Sequence, residues 1–452
     1  MTTFIEQPLP VSASYSPARD APRFSVAEQA NQIPAFPLRA VPGVETYSVS
    51  RGTAAVYPAE LLPEGILAET RLSQQICDHR YYELVHRSLG HDFPLSYIVL
   101  RDRAGRLRGA QPFFVVDQDI LAGMKGKVPE ITEKVRQMYP GFLKLKTMML
   151  GNPAGPGAPG IALQPFSTDI GADHHWFTTA LGEAVAEYGR RHGVKIVVFK
   201  DVPAEQREAM RGLAEGPDFM RIPSMPMTRL PLGQYTSFED YMSKALSKVT
   251  RKSTRRKLKD SAGEKIEMSV TNDVSDCVEE VHRLYLQVYE RAGMKFEKLT
   301  PQFFLELGRS MPERARFFLW RRRGELIAVS ITLVRMPSHP DARLEGGGAE
   351  TMLLDLYLGM EYPLALDLHM YFLTMRDVIQ WCIENGISTY YSTPLNYDAK
   401  LHLKHELSPL DLWVRHASSI LNPAFKFAMR FAEPTKHDKI IPLFPNVQEL
   451  HD

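Results

Sequence analysis

The chain has 452 residues, a formal net charge of +1, 44% hydrophobic residues and 24% charged residues. That length exceeds what one hydrophobic core ordinarily carries, so two domains of about 200 residues are expected, and the balanced charge argues against a dedicated nucleic-acid binder, DNA above all. Three scattered cysteines (Cys77, Cys277, Cys382) exclude a disulfide scaffold and a cysteine zinc site, and the lack of a signal segment or a long apolar run predicts a cytoplasmic protein that touches a membrane at most peripherally, from its inner face.

Residues 1–44, rich in Pro, Ser and Ala as in "QPLPVSASYSPARDAPRF", read as an extended or disordered arm. A first domain is expected over 45–232. "SYIVLRDRAGRLRGAQPFFVV" is a strand hairpin turning at Gly105, and "KLKTMMLGNPAG" is a further strand. "FTTALGEAVAEYGRRHGVKIVVFKD" is an amphipathic helix stopped at Gly193 and followed by a strand. Residues 233–262 read as a linking helix: Ser237 can cap it with Asp240 three positions on, and Phe238, Met242, Ala245 and Val249 form one apolar stripe. A second domain over 263–420 repeats the first. "ARFFLWRRRGELIAVSITLV" turns at Gly324, "ETMLLDLYLGMEYP" follows, and "LTMRDVIQWCIENGISTYYST" has its stop at Gly386. Residues 421–452 are an amphipathic tail. The copies lie about 200 residues apart, too far for a solenoid repeat, so one mixed α/β domain is present twice.

The linking helix is dense in charge, with six basic residues among the nine from Arg251 to Lys259. Lys244, Lys248, Arg251 and Arg255 fall on one helical face, with Lys252, Arg256 and Lys259 beside them. Such a face can hold the phosphates of CoA, a nucleotide-linked precursor, tRNA or a lipid headgroup; a solvated helix face has the same pattern. No aromatic follows Tyr241 in the helix, which argues against base stacking and sequence-specific RNA reading.

Over roughly residues 45–420 this order, doubled in one chain, resembles the tandem GNAT-fold acyltransferases of the FemAB type. The resemblance is carried by the basic helix "SFEDYMSKALSKVTRKSTRRKLKDSAG", the strand–helix–strand block from Met352 to Thr393, and "PLNYDAKLHLKHELSP", whose Lys400 sits where the family places a closing Lys. The sequence departs from single-domain GNAT enzymes in having no Gly-x-Gly turn within "LGMEYPLALDLHM", and no coiled-coil arm of some cell-wall members is present. The resemblance implies an α/β fold (α+β mixed sheet) of two tandem GNAT-like domains joined by a basic helix. It also implies transfer of an acyl group to an amine, with acyl-CoA as co-substrate and no permanently bound cofactor. The strand edge would line the acyl channel, and the next helix N-terminus would face the donor phosphates.

Amide formation requires the attacking amine to lose a proton, so a carboxylate or imidazole is needed within reach. Asp355, Glu361, Asp367 and His369 are the candidates, although Glu361 and Asp367 would serve equally as helix flanks. Asp355 shares a strand face with Tyr357 by period two and would be costly in a dry core without a partner. Tyr390, Tyr391 or Tyr397 could protonate a leaving group, and Lys400, with Lys404 four residues on, could hold a carbonyl or phosphate; packing and surface roles are the alternatives. Lys248, Arg251, Arg255 and Arg256 are the candidates for donor phosphates. His402, His405 and His416 lack metal-ligand spacing, and "GNPAGPGAPG" lacks the Gly-Lys-Ser/Thr ending of a phosphate loop, so it reads as a wide turn. The tail "SSILNPAFKFAMRFAEPTKHDKIIPLFP" suits either an interfacial segment or a docked helix. The expected function is N-acyl transfer from an acyl-CoA-like thioester to an amphiphilic amine such as a sphingoid base, a step of sphingolipid metabolism. The alternatives are aminoacyl-tRNA-dependent transfer to a peptidoglycan precursor and non-catalytic binding of a phosphorylated ligand.

Overall fold

The computed structural model describes residues 42–119, 144–165, 167–293, 295–336 and 351–452. All but the end of the N-terminal arm lies outside them. In the first half, β1 (Glu45–Val49), β2 (Gly52–Pro58), helix α1 (His79–Leu89), β3 (Ser96–Asp102), β4 (Leu107–Asp119) and β5 (Lys144–Leu150) follow in order. The five strands pair antiparallel in sequence order. Helix α2 (Ile170–His192), capped by the Asp169 side chain, then crosses to β6 (Ile196–Pro203), which lies parallel to β5. β7 (Met220–Pro223) and β8 (Met227–Pro231) end this half.

The second half repeats the scheme. Helices α3 (Phe238–Ala245) and α4 (Lys248–Ala262) precede β9 (Ile266–Thr271), α5 (Val278–Arg291) and α6 (Pro301–Ser310). β10 (Ala315–Arg322), β11 (Glu325–Arg335) and β12 (Met352–Met360) continue the antiparallel run, and α7 (Met370–Glu384) crosses to β13 (Thr389–Ser392), parallel to β12. The turn and stop glycines behave as their positions require: Gly105, Gly324, Gly193 and Gly386 have φ of 80°, 86°, 68° and 69°, a region glycine enters without the Cβ penalty.

The two sheets exchange strands. After α8 (Tyr397–His402) and β14 (Glu406–Ser408), the chain crosses through Pro409 so that β15 (Leu410–His416) inserts between β6 and β7 of the first sheet. Reciprocally, β8 leaves the first half and inserts between β13 and β14 of the second. The crossings run side by side, with Ser224 N–H donating to Leu410 O at 2.8 Å. A short helix α9 (Asn422–Met429) and several 3-10 turns close the chain.

The segment read as one linking helix is two helices, and it runs between β8 and β9, both in the second sheet. Leu246 is extended (φ −91°, ψ 144°), and Ser247 caps a new helix by accepting from the Thr250 N–H. The break anchors the chain, because Leu246 is buried; Val249, expected in the apolar stripe, instead turns outward and is 79% exposed. The Ser237 cap is present and accepts from the Asp240 N–H at 3.0 Å.

The halves share a core. Tyr81, Leu84 and Val85 of α1 belong to the same apolar cluster as Phe303, Phe304 and Leu307 of α6. Around it, Arg314 donates to the Gln75 and Ile76 carbonyls and pairs with buried Asp78, and Arg87 pairs with Glu306.

Candidate functional site

β12 and β13 pair only from Met352 with Thr389 to Asp355 with Ser392, so the two strands part company at Asp355. Opposite this point the β11–β12 ladder shifts register between Ile331 and Thr332, leaving Leu356 as the extra residue of a bulge. The bulge overturns the expectation that Asp355 and Tyr357 share a face. Asp355 points toward Ser330 and Tyr390, whereas Tyr357 reaches Glu297 on the other side.

Five side chains, Asp355, Ser330, Tyr390, Lys400 and His405, gather at the parting. The Asp355 carboxylate accepts from the Ser330 and Tyr390 hydroxyls, both at 2.7 Å. Burial pushes its pKa up, and the two hydroxyls and the Lys400 charge oppose that shift. Lys400, presented by α8, is 2% exposed and donates from Nζ to the Thr393 carbonyl at 2.5 Å. Burial lowers its pKa to about 7, and Asp355 pulls the other way. His405, also buried, sits edge-on to Tyr390 with 5.6 Å between ring centroids, and its Nδ1 is 3.2 Å from Thr228 Oγ1 on the exchanged strand β8. Burial and the Lys400 charge hold the His405 imidazole neutral, with a pKa of about 3. Its Nε2 has no hydrogen-bond partner among the described residues. Tyr371 of α7, which bonds Asn396, feels the Asp355 charge as well.

Of the expected acid–base residues, the structure unites Asp355 and Lys400 and disperses the rest. Glu361 lies at the end of β12 and pairs with Arg283 of α5. Asp367 is exposed in a single helical turn, and His369 is half-buried at the N-cap of α7 in a left-handed conformation (φ 49°). The Tyr397 hydroxyl donates to the Pro226 carbonyl at 2.7 Å and its ring packs on Phe444, so it braces the C-terminal tail even though Lys400 Nζ is 5.9 Å from its ring. Tyr391 lies on the face opposite Tyr390.

The expected phosphate-holding residues divide in the same way. Arg251 donates to the Ser243 and Leu246 carbonyls and so closes the end of α3, Arg255 pairs with Glu239, and Lys244 pairs with Asp240. Lys248, Lys252, Arg256 and Lys259 remain exposed on one face of α4. The helix adjoins the site: Lys257 Nζ lies 3.5 Å from the ring centroid of Phe372, the neighbour of Tyr371.

A second, half-buried group had no sequence signal. At the end of β6 the Lys200 ammonium donates to Asp201 at 2.5 Å, while the Tyr357 hydroxyl donates to Glu297 at 2.7 Å. Burial raises the Glu297 pKa against the Lys200 charge; for Lys200 itself, burial is outweighed by Asp201 and Glu297, and its pKa rises. The "GNPAGPGAPG" segment is a wide loop folded over this strand end, with Gly157 N–H donating to the Asp201 carbonyl at 3.0 Å. Among the described residues no three His, Cys, Asp or Glu side chains group as a metal site, and no helix is long and apolar enough to cross a membrane.

Two copies of a mixed sheet, each with an antiparallel run, a crossover helix and a parallel strand parting from its neighbour, define a tandem GNAT-type fold. Residues 167–390, just under half of the chain, match the FemAB-like family model, described as peptidoglycan biosynthesis/recognition. No curated protein matches it. Among solved structures, it is similar to a tandem GNAT protein from the clavulanic acid biosynthesis pathway (12% identity, TM-score 0.43, covering 81% of this chain and 99% of that one). It is also similar to FemX (11%, 0.42, 74% and 90%) and to Saccharomyces cerevisiae N-myristoyltransferase (11%, 0.40, 87% and 84%).

Proposed function

We propose that the chain is an amide-forming N-acyltransferase whose chemistry runs at Asp355 and Lys400. The observation that carries this reading is a lysine buried beside a carboxylate where two strands part, with its pKa lowered to about 7. Neutral Lys400 takes the proton released as the amine nitrogen attacks the acyl carbonyl. Its charged form, favoured by the nearby Asp355 charge, returns the proton to the departing thiolate as the C–S bond breaks. Ser330 and Tyr390 hold the carboxylate in place by donating to it. The donor is an acyl-CoA-like thioester whose phosphates lie along the free basic face of α4. The acceptor is an amphiphilic amine such as a sphingoid base, with the protein acting peripherally at a lipid surface. A second reading is aminoacyl transfer from tRNA to a peptidoglycan precursor, in which the same face holds the RNA backbone; the family description supports its peptidoglycan part.

Mass spectrometry of products formed from acyl-CoA and a long-chain amine should detect the amide with the wild-type chain and at least about a hundredfold less with Asp355→Asn. Product that forms only with charged tRNA and vanishes on RNase treatment would select the second reading. An Asp355→Asn chain with wild-type turnover would place the chemistry elsewhere. The donor face is tested separately by Lys248→Glu combined with Arg256→Glu, which should raise the donor KM about tenfold at low salt and less at high salt. An unchanged KM would leave α4 as a solvated face.

A further inference from the structure

The C-terminal helix α9 is amphipathic in the reverse of the usual sense. Its inward side is anchored by polar contacts: Asn422 Nδ2 donates to the Asp218 carbonyl at 3.0 Å and to its carboxylate at 2.8 Å, and Lys426 pairs with the same carboxylate. Phe425 packs against His416, with ring centroids 6.0 Å apart. The outward side carries Pro423, Ala424, Phe427, Ala428 and Phe431 at helical spacing, all exposed. Phe427 and Phe431 are 62% and 67% exposed and touch each other edge-on, and Ile420 and Leu421 just before the helix are 89% and 55% exposed. Four large apolar side chains within twelve residues thus face water, where isolated ones would be ordinary.

We propose that this ridge docks the protein onto an anionic lipid surface. The choice of occupant follows from charge. Arg430, next to Phe431 in the chain, and Lys436, whose Nζ donates to the Arg430 carbonyl, are exposed beside the ridge, and Lys439 is exposed three residues further on. The acids nearby are already engaged: Asp218 by Lys426 and Asn422, buried Glu433 by Thr435 and Lys436, and Asp438 by the Ile440 and Ile441 N–H groups. A short convex apolar ridge with a cationic rim matches the acyl boundary and headgroups of a negatively charged bilayer. A second copy of the chain on the same ridge would instead bring two cationic rims together. The surface deepens the lipid-amine reading and rests on it for its purpose, since an amphiphilic acceptor resides in such a bilayer; its geometry does not depend on that reading.

Flotation with vesicles tests the surface without turnover. The full chain should bind vesicles of phosphatidylcholine mixed with phosphatidylglycerol and bind pure phosphatidylcholine at least about tenfold less. Phe427→Ser with Phe431→Ser should lower partitioning about tenfold or more on the mixed vesicles. Arg430→Glu with Lys436→Glu should do the same and remove the salt dependence. Because the two Phe residues are exposed, circular dichroism of that variant should match the wild type. Asp355→Asn should float like the wild type, so a failed chemistry and a failed surface give different results. Absence of wild-type binding to the mixed vesicles overturns the proposal, as does undiminished binding of the Phe variant. A concentration-dependent dimer that the Phe substitutions dissolve, in a chain that does not float, overturns it in favour of a contact between copies.

Discussion

Replacing Lys400 by Met is expected to lower turnover at least about a hundredfold and to erase a pH dependence that the wild-type chain should show. The lysine's folded pKa is lowered to about 7 from 10.5, chiefly by burial. Below pH 7 it is mostly charged and cannot take the amine proton; above pH 7 it is mostly neutral. Wild-type kcat/KM should therefore climb with pH up to about 7 and then level, whereas Lys400→Arg, always charged, should be nearly inactive at every pH with no such rise. In the Lys400→Met variant stability should move in the opposite direction to activity. A depressed lysine pKa means that holding the protonated side chain in the fold costs stability, and the cost grows as pH falls from 10.5 toward 7. Lys400→Met removes that cost, so at pH 7 the variant should unfold at a higher urea concentration, with Asp355 still held by Ser330 and Tyr390. A variant that loses activity together with stability would make Lys400 a structural residue.

The second large effect concerns the exchanged strand β15. Asp411 is fully buried and binds two arginines: Arg207 at 2.7 and 3.0 Å, and Arg221 at 3.2 Å. The same guanidiniums donate to the carbonyls of Glu449, Leu450 and His451, so one carboxylate ties together β15, the first half and the C-terminus. Asp411→Ala leaves the two cations facing each other beside a buried gap and should cost about 3–5 kcal/mol, read as a lower denaturant midpoint. The tail from about residue 440 should become an early site of limited proteolysis. An unchanged midpoint would show that backbone pairing alone holds β15 in place.

The local parts of this molecule were legible in its sequence. Gly105 and Gly324 mark their hairpins because few other residues suit a left-handed turn position, Asp355 drew attention as a charge within a strong strand pattern, and Lys400 through its place in the resemblance. The misreadings share a cause. Val249 continued a helical period that Leu246 breaks to reach the core, so the stripe ended one turn early. Tyr357 obeyed period two until the bulge at Leu356 turned it to the other face. His405, weighed only as a metal ligand, gains its meaning from Tyr390 and from Thr228, a residue of the other half. Lys200 and Glu297 meet across almost a hundred positions, and neither lies in a pattern that announces the other. Which strand neighbours which is decided by the assembled core, and no local period carries it.

The crossing of β8 and β15 has a consequence for synthesis. The gap between β6 and β7 is filled by Leu410–His416, so the first sheet lacks an inner strand while its own residues leave the ribosome. It cannot finish folding until the second half has been made and its last strand has travelled back. The usual sequence, in which an N-terminal domain folds before its successor is translated, is closed to this chain. Either half expressed alone would display an open strand edge suited to pairing with strangers. The two copies are thus not separable modules: the halves reach the native state only together.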